Sequence, residues 1–318
     1  MKSEIRNPKS EIGSKAIVFA GQGAQFVGMG KDLAETYPAC KELFNKADEV
    51  LGYEISKICF EGPAEELTKS NHCQPAIFTA SIACYKALCI EKKNISFNGA
   101  AGLSLGEWSA LHMAGAITFE DALRVLEARG RFMQEACEER DGAMVGVIGL
   151  PEEKVREIAS SCGVGVANLN SPGQTVLSGE RKKIQEAEKL AKDAGAKRAI
   201  VLNVAGAYHS SLMEPAAKRL DEFLAEVKLE KTRLPVVSNV TGLPHGEPGE
   251  IRENMVKQVT SSVQWVSSIQ WFKNNGITEY AECGPGKVLS GLIRRLDKEA
   301  KLNNIQDVES LKKMINDE

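Results

Sequence analysis

A Gly-x-Ser-x-Gly segment over residues 102–106 constrains the fold of this chain more than any other feature. An apolar stretch over residues 97–103 predicts a strand that runs into the segment, and residues 105–113 predict a helix that leaves it. Such a turn holds a serine hydroxyl, here that of Ser104, out over the end of a sheet. Gly102 and Gly106 suit the turn because strand and helix approach closely, and a side chain would clash. The segment predicts an α/β fold, and an idle serine in a glycine-rich turn is the alternative to a reactive one.

The turn at Ser104 also supplies candidate hydrogen-bond donors. The helix that begins behind this residue leaves main-chain N–H groups at its N-terminus without helical partners, and such groups can bind an oxyanion. A second glycine-rich turn, Gly21-Gln22-Gly23, follows a short buried strand. Phe26 stands where a dinucleotide-binding fingerprint needs its third glycine, so a dinucleotide site is disfavoured.

Composition excludes several classes of function. The chain has 318 residues, of which 43% are hydrophobic and 26% are charged, and its formal net charge is −3. This near-neutral balance of charges does not indicate binding to nucleic acid or to a membrane surface. No apolar run looks long enough to span a bilayer. Residues 1–14 are charged and lack a hydrophobic centre, so we interpret them as a disordered leader rather than a secretory signal.

The cysteine pattern bears on metal binding and on location. The eight cysteines neither form closely spaced pairs nor cluster with the four histidines, so the spacing of a zinc site is absent and no metal is expected. Most of them lie in apolar stretches and are interpreted as small buried side chains. Free thiols without a secretory signal predict a reducing, cytoplasmic location.

Arg129 lies at an unusual place in a predicted helix. Thr118 begins a capping signal, and the helix it predicts runs to about residue 138. On a 3.6-residue wheel, Arg129 falls among apolar residues of one face: Ala122, Val125, Leu126 and Met133. A buried guanidinium needs a partner, so we expect something anionic to meet it. The residues alone favour a structural ion pair with an Asp or Glu, or a side chain that reaches solvent.

Residues 143–204 differ in character from the rest of the chain. Their predicted elements follow the order β-α-β-β-α-β, which is typical of a ferredoxin-like unit. We therefore expect a small inserted domain over residues 140–204. The large domain would be discontinuous and comprise residues 15–139 and 205–310.

His209 is the candidate base. It stands just ahead of Ser211 and Glu214, which form a capping-box pattern and predict a helix that starts at 211. The positive end of a helix dipole disfavours the imidazolium form, which would keep a base neutral. A hydrogen-bonded loop histidine without a catalytic role is the alternative.

Seven segments together resemble a known family. They stand in the order and spacing of malonyl-CoA:acyl carrier protein transacylases, and the resemblance covers residues 15 to about 310. The segments are Gly21–Gln25, Gly102–Glu107, Arg129 with Met133, Asn168–Gln174, Gly206–Ser210, Val263–Trp265 and Gly284–Gly286. Each motif alone is weak, and the ordered set is specific.

The resemblance implies a fold and an activity. The fold would be a large α/β-hydrolase-like domain with an inserted ferredoxin-like (βαββαβ) domain and a cleft between them. The activity would be ping-pong transfer of malonyl from malonyl-CoA to the phosphopantetheine thiol of acyl carrier protein, in fatty acid biosynthesis. The CoA thioester would be a substrate and no cofactor would be needed. The protein would be a monomer, with neither nucleic acid nor membrane as a partner.

The resemblance also implies roles for individual residues. Ser104 would be the nucleophile, His209 the base, and Arg129 the clamp for the malonyl carboxylate, which reverses the structural interpretation of that arginine. The main-chain N–H groups of Gln22 and Leu105 would form the oxyanion hole. The remaining site residues would be Met133 in the acyl pocket, Asn170 in substrate binding, and Gln264, whose main-chain carbonyl would orient the histidine.

Three positions depart from the pattern of many family members. Leu103 stands where many have histidine, Trp108 where tyrosine is common, and Tyr208 where phenylalanine is usual. These departures leave open which acyl group is preferred, but they do not change the predicted reaction class.

Three alternatives remain. A serine esterase or thioesterase shares the turn, but it usually has more strands before the turn and an acid between serine and histidine in the chain. A polyketide-type acyltransferase would use the same chemistry in another pathway. A non-catalytic protein with the same fold is disfavoured by the joint presence of Ser104, Arg129 and His209.

Overall fold

Residues 14–316 fold into two sheets with helices packed on them. The computed structural model describes residues 14–316, so the predicted leader lies outside the described residues except for Ser14. Within that range the strands are β1 (Ser14–Phe19), β2 (Gly99–Gly102), β3 (Gly142–Ile148), β4 (Gly165–Ser171), β5 (Gln174–Glu180), β6 (Arg198–Val201), β7 (Ile277–Cys283) and β8 (Lys301–Ile305).

The helices of the described chain precede, connect and follow these strands. They are α1 (Lys31–Thr36), α2 (Pro38–Leu51), α3 (Ile55–Glu61), α4 (Ala64–Thr68), α5 (Ser70–Glu91), α6 (Gly106–Met113), α7 (Phe119–Glu139), α8 (Glu152–Cys162), α9 (Arg181–Asp193), α10 (Glu214–Leu224), α11 (Pro248–Lys257), α12 (Trp265–Asn274), α13 (Val288–Leu296) and α14 (Val308–Asn316). A 3₁₀ turn, Ser211–Met213, leads into α10.

The first sheet is parallel and carries the Gly-x-Ser-x-Gly turn. Its strand order is β2-β1-β7-β8, and all three pairings are parallel. The central strands β1 and β7 are largely buried, as parallel strands covered on both faces must be. Because β2 ends at Gly102, the turn with Ser104 lies at the carboxyl edge of this sheet, where ligands of open α/β folds bind.

The second sheet is antiparallel and is built from the middle of the chain. Its order is β4-β5-β3-β6, and each neighbouring pair is antiparallel. Helices α8 and α9 bury apolar faces against it, with Val155, Ile158, Ile184 and Ala187 in that core. The mixed α/β class predicted from the sequence is confirmed, with parallel and antiparallel sheets in one chain.

A short backbone bridge joins the two sheet regions beside the cleft. The N–H of Leu169 on β4 donates to the carbonyl of Val263 at 3.0 Å, and the N–H of Val263 donates to the carbonyl of Ala167 at 2.8 Å. These two bonds tie an edge strand of the antiparallel sheet to the segment that precedes α12. The bridge therefore fixes one wall of the cleft relative to the other.

The longest helix corrects one expectation from the sequence. Helix α5 is long and apolar enough to cross a membrane by length and composition alone, whereas the sequence analysis found no such run. In the fold, 78% of its 18-residue window is buried inside the protein. Its apolar surface is thus covered by other elements, notably by α7 and α2.

Candidate active site

Ser104 occupies a strained turn between β2 and α6. Its φ is 53°, in the left-handed region that residues other than glycine rarely adopt. The glycines that flank it are sterically required. A Cβ on Gly102 would lie 1.9 Å from the carbonyl carbon of Gly106, and a Cβ on Gly106 would lie 2.3 Å from the carbonyl oxygen of Phe19. The clash predicted from the sequence is therefore present at both positions.

Asn239 holds this turn in place. Its Oδ1 accepts a hydrogen bond from the main-chain N–H of Ser104 at 2.6 Å, and its Nδ2 donates to the carbonyl of Gly102 at 2.8 Å. Asn239 itself is fully buried, so neither bond competes with bulk water. The side chain bridges both ends of the strained backbone and stabilises its left-handed conformation.

Ser104 and His209 are in hydrogen-bond contact. The distance from Ser104 Oγ to His209 Nε2 is 2.9 Å, and His209 Nδ1 lies 2.8 Å from the carbonyl oxygen of Gln258. A carbonyl oxygen only accepts, so Nδ1 carries the proton and Nε2 is left as the acceptor for the serine hydroxyl. This is the tautomer that a general base for Ser104 requires.

Gln264 does not orient the histidine, so that part of the sequence analysis is wrong. Gln264 caps α12, and its carbonyl accepts hydrogen bonds from the N–H and the hydroxyl of Ser268 at 2.9 and 3.0 Å. Gln258 instead follows the last residue of α11. Carbonyls at the end of a helix lack helical partners, and that of Gln258 is thereby available to His209.

The helix after His209 begins differently from the prediction. The capping residue is Ser210 rather than Ser211, since the Ser210 hydroxyl accepts from the N–H of Leu212 at 3.3 Å. Burial, and after it the positive charge of Arg129, lower the pKa of His209 from its ordinary value of 6.5 to about 4. His209 is therefore neutral near pH 7 because of its burial, with the neighbouring guanidinium as the second cause.

Arg129 reaches the nucleophile from α7. Arg129 is 1% exposed. Its Nη2 donates to Ser104 Oγ at 3.1 Å and to Gln258 Oε1 at 3.0 Å. Its Nη1 donates to Gln74 Oε1 at 2.6 Å. Within residues 14–316 these acceptors are all uncharged groups, and no carboxylate forms a salt bridge with Arg129. The structural ion pair considered from the sequence is absent from the described chain.

One nitrogen of the guanidinium has no acceptor among the described residues. The buried Nε of Arg129 has no hydrogen-bond partner among the described residues. Burial lowers the pKa of Arg129 to about 10, with Glu107 and Tyr208 acting in the opposite direction, so the side chain is cationic at neutral pH. A buried cation with an unused N–H is suited to receive an anion that arrives with a substrate.

The main-chain N–H groups of Leu105 and Gln22 are the candidate donors for an oxyanion. Leu105 is the first residue behind Ser104 and caps α6, and Gln22 lies in the turn after β1. Neither N–H donates a main-chain hydrogen bond to another described residue. The Gln22 side chain is held in place, because its Nε2 donates to the Ser70 hydroxyl at 3.3 Å.

A cavity of about 540 Å³ opens in front of Ser104 and His209. Residues of both sheet regions line it, including Gln22, Met133, Asn170 and Tyr208. The Asn170 Oδ1 is buried and has no partner among residues 14–316. The Tyr208 hydroxyl lies 2.8 Å from the Ser70 hydroxyl, and burial raises the pKa of Tyr208 to about 12, so it is a neutral polar group in the wall.

Four residues that position the site were not found from the sequence. They are Gln74, Glu107, Asn239 and Gln258, each of which is at most 1% exposed. The one signal available was a polar side chain in an otherwise apolar stretch, as at Gln74 between Cys73 and Ala76. In the region that the structure describes, no group of three His, Cys, Asp or Glu side chains is placed to hold a metal ion.

Comparisons with known proteins agree with this geometry. The sequence model of the family described as the acyl transferase domain matches residues 16–317. The malonyl CoA-acyl carrier protein transacylase of Bacillus subtilis (strain 168) is 42% identical over 301 residues, covering 93% of this chain and 94% of that protein.

Solved structures are similar over nearly their whole length. The malonyl CoA-acyl carrier protein transacylase of Coxiella burnetii has a TM-score of 0.93 at 36% identity, covering 96% of this chain and 97% of that one. A malonyl-transacylase in complex with its type II PKS acyl carrier protein has a TM-score of 0.91 at 38% identity, covering 96% of this chain and 100% of that one.

Proposed function

This chain belongs to the acyl transferase domain family, and from that premise we propose that it transfers malonyl from malonyl-CoA to the phosphopantetheine thiol of acyl carrier protein. The reaction is a ping-pong exchange through a malonyl-serine intermediate, as in fatty acid biosynthesis. The observation that carries the proposal is the contact of Ser104 Oγ with both His209 Nε2, at 2.9 Å, and Arg129 Nη2, at 3.1 Å. One hydroxyl thus meets a neutral base and a buried cation.

In the first half-reaction, Ser104 Oγ attacks the thioester carbonyl of malonyl-CoA. His209 Nε2 takes the hydroxyl proton as the C–O bond forms, which a serine at its free pKa needs. The bond to sulfur then breaks, and the CoA thiolate leaves with the proton that His209 returns. The imidazolium that exists between these steps is stabilised through Nδ1–H by the carbonyl of Gln258 at 2.8 Å.

The tetrahedral intermediate carries an oxyanion that needs preorganised donors. We assign this role to the main-chain N–H groups of Leu105 and Gln22. The assignment is supported by the lack of main-chain acceptors for either group in the described chain. The N-terminus of α6 adds the favourable end of a helix dipole.

Arg129 binds the malonyl carboxylate. Its Nε is unused and its Nη2 is bonded to the hydroxyl that becomes acylated, so two donors can turn to a carboxylate attached to Ser104. A guanidinium holds a carboxylate with two parallel hydrogen bonds, which gives both charge and orientation. Met133 stands beside this clamp, where its sulfur accepts from Gln74 Nε2 at 3.6 Å, and we place it in the wall of the acyl pocket.

In the second half-reaction, the carrier-protein thiol enters along the cavity in front of Ser104. His209 removes its proton, the thiolate attacks the malonyl ester, and Ser104 leaves with that proton. Asn170, with a buried and unpartnered Oδ1 in the cavity wall, is proposed to bind an N–H of the pantetheine arm. The residues of this chain supply each proton transfer, so the proposal includes no cofactor and no metal.

We infer a finer description of the fold as well. The parallel sheet with the turn at Ser104 would form an α/β-hydrolase-like domain over residues 15–139 and 205–310. The β4-β5-β3-β6 order would make residues 140–204 a ferredoxin-like insert, and the antiparallel pairing of every neighbour supports this. We also propose a monomer in the cytoplasm, and the eight cysteines, all of them free thiols, support a reducing location.

The deciding experiment is intact mass spectrometry after incubation with malonyl-CoA. The wild-type protein is expected to gain one malonyl group and to lose it when acyl carrier protein with its thiol arm is added. Ser104→Ala is expected to gain nothing. Release of free malonate at the same rate with and without a thiol acceptor would identify a thioesterase instead. Comparison of fatty-acid and polyketide carrier proteins as acceptors assigns the pathway.

A further inference from the structure

The buried carboxylate of Glu107 contacts residues that in turn contact the reacting groups. Glu107 is the second residue of α6, and its side chain is 0% exposed. Its Oε1 lies 2.6 Å from His245 Nε2, and its Oε2 accepts from Gln258 Nε2 at 2.6 Å and from the main-chain N–H of Asn239 at 3.0 Å. All four side chains are buried, so Glu107 is held on three sides by protein donors.

Gln258 connects this carboxylate to two groups of the active site. Its Oε1 accepts from Arg129 Nη2 at 3.0 Å, and its main-chain carbonyl accepts from His209 Nδ1 at 2.8 Å. Its Nε2 has no freedom to rotate, because it donates to Glu107 and to the carbonyl of Ser104. Glu107 therefore decides which way the amide faces, and keeps the amide oxygen toward Arg129.

A second route runs through Asn239 to the nucleophile. Glu107 fixes the backbone of Asn239, and the side chain of Asn239 binds the main-chain N–H of Ser104. Ser104 has a φ of 53°, a conformation that persists only when its surroundings enforce it. One carboxylate thus lies within two contacts of the nucleophile, the base and the clamp.

From this arrangement we propose that Glu107 is a positioning residue for acyl transfer, which acts through Gln258 on Arg129 and His209 and through Asn239 on Ser104. The inference rests on the proposed function, since alignment of a carboxylate clamp has meaning only for a malonyl substrate. Glu107 touches no substrate atom in this account.

The negative charge of Glu107 is part of its action. His245 Nε2 lies 2.6 Å from Glu107 Oε1, and His245 Nδ1 lies 3.4 Å from Asn254 Nδ2. Arg129 is the nearby buried cation, and its charge is stabilised by Glu107. An amide in place of the carboxylate would keep the shape and remove that stabilisation.

The test compares acyl-enzyme formation from malonyl-CoA and from acetyl-CoA in wild type and Glu107→Gln. We expect malonyl-enzyme formation in Glu107→Gln to slow by on the order of 100-fold, as for a small misplacement of reacting groups. Acetyl transfer should slow less, because it does not use the clamp, so the malonyl-to-acetyl ratio falls. A purely structural role would lower stability and leave both the rate and the ratio of the folded enzyme unchanged, which would overturn the proposal.

A double-mutant cycle with Gln258→Leu tests the route. If Glu107 acts through the Gln258 amide, the combined loss is smaller than the product of the single losses by about threefold or more. Strictly multiplicative losses would overturn the proposed route. Glu282→Gln is the matched control, because Glu282 is also buried and binds the N–H groups of Leu289 and Ser290 at 3.0 and 2.7 Å, away from these contacts. It should keep the wild-type rate and ratio.

Two further measurements distinguish a variant that does not fold, an error in this inference and an error in the proposed function. If Glu107→Gln does not fold, Glu107→Asp keeps the charge and shortens its reach, and it should lower the same rate and ratio. Wild-type kinetics in Glu107→Asp would then overturn the proposal. A wild-type protein that takes up no malonyl would overturn the proposed function and this inference with it, whereas wild-type behaviour of the Glu107 variants overturns this inference alone.

Discussion

His209 Nδ1 donates to the main-chain carbonyl of Gln258 at 2.8 Å, where many serine enzymes have a carboxylate. A carbonyl fixes the same tautomer and ring orientation as an acid would, because both accept from Nδ1–H. It brings no full negative charge, however, and so it stabilises the imidazolium less. Together with burial and with Arg129, this explains why the pKa of His209 is lowered to about 4 rather than raised.

The first prediction concerns Ser104 and His209 as a unit. Ser104→Ala and His209→Ala should each slow malonyl transfer by roughly 10⁴- to 10⁶-fold, because neither group is effective without the other. The double variant should lose little more than either single variant. Single-turnover kinetics with malonyl-CoA measures all three, and a double variant that loses the product of both factors would show that the residues act independently.

The second prediction concerns selection of the acyl group by Arg129. Arg129→Ala removes a buried partner of the malonyl carboxylate, which costs roughly 2–5 kcal/mol, or about 30- to several-thousand-fold in rate. Acetyl transfer should hold steady or rise, because the unpaired buried charge that penalises a neutral acyl group is gone. The measurement is the ratio of malonyl to acetyl transfer.

Arg129→Lys is the companion variant for that ratio. It retains the charge but cannot make two parallel hydrogen bonds, so it should recover only part of the malonyl activity. An unchanged ratio in Arg129→Ala would mean that the arginine is structural and that selection lies elsewhere in the cavity.

The third prediction is the pH dependence of the free enzyme. His209 must be neutral to accept the Ser104 proton, and its pKa is lowered to about 4. The value of kcat/KM should therefore be flat from about pH 8 down to about pH 5 and fall with a midpoint near pH 4. A midpoint near the ordinary histidine value in the pH profile of malonyl transfer would contradict the buried, neutral base.

The free energy of unfolding should also depend on pH through the protonation of His209, and it should fall as the pH falls. In the unfolded chain His209 becomes protonated below about pH 6.5, whereas in the folded protein it stays neutral down to about pH 4. The free energy of unfolding therefore falls as the pH decreases from about 6.5 to about 4. The full effect is about 3 kcal/mol. Denaturant unfolding of wild type and His209→Gln between pH 4 and pH 7 measures it, and the variant should show a shallower loss by that amount.

The fourth prediction concerns Asn239, which bridges the Ser104 turn. Asn239→Ala leaves the partly buried N–H of Ser104 and the buried carbonyl of Gly102 without their partners, which should lower stability by about 1–3 kcal/mol. The strained turn should relax, and malonyl transfer should slow by on the order of 100-fold. The readouts are denaturant unfolding and the rate of malonyl-enzyme formation.

Asn303→Ala provides the comparison for that variant. Asn303 donates to Glu279 at 2.7 Å between β8 and β7, and its loss should change stability without changing the transfer rate. If Asn239→Ala loses stability but transfers malonyl at the wild-type rate, the side chain is a structural brace and does not set the geometry of Ser104.

The parts of the site that depend on neighbours in the chain were predictable from the sequence. The Gly-x-Ser-x-Gly turn requires glycine at both ends, and the structure has the contacts that require it at Gly102 and Gly106. The Thr118 cap is present, with its hydroxyl accepting from the N–H of Asp121 at 3.0 Å. Helical periodicity likewise placed Arg129 on a buried face, where it is 1% exposed. Each of these features follows from backbone geometry over a few residues.

The tertiary structure decided which polar groups meet. Gln258 and Glu107 are 151 residues apart in the chain, and Asn239 and Ser104 are 135 apart, so no local pattern relates them. The sequence analysis therefore assigned the histidine's carbonyl partner to Gln264, although that carbonyl caps α12. It also could not state whether Arg129 meets a carboxylate of the chain. A buried polar group must find a partner wherever the packing brings one, and that choice depends on how the sheets and helices pack rather than on any local stretch of sequence.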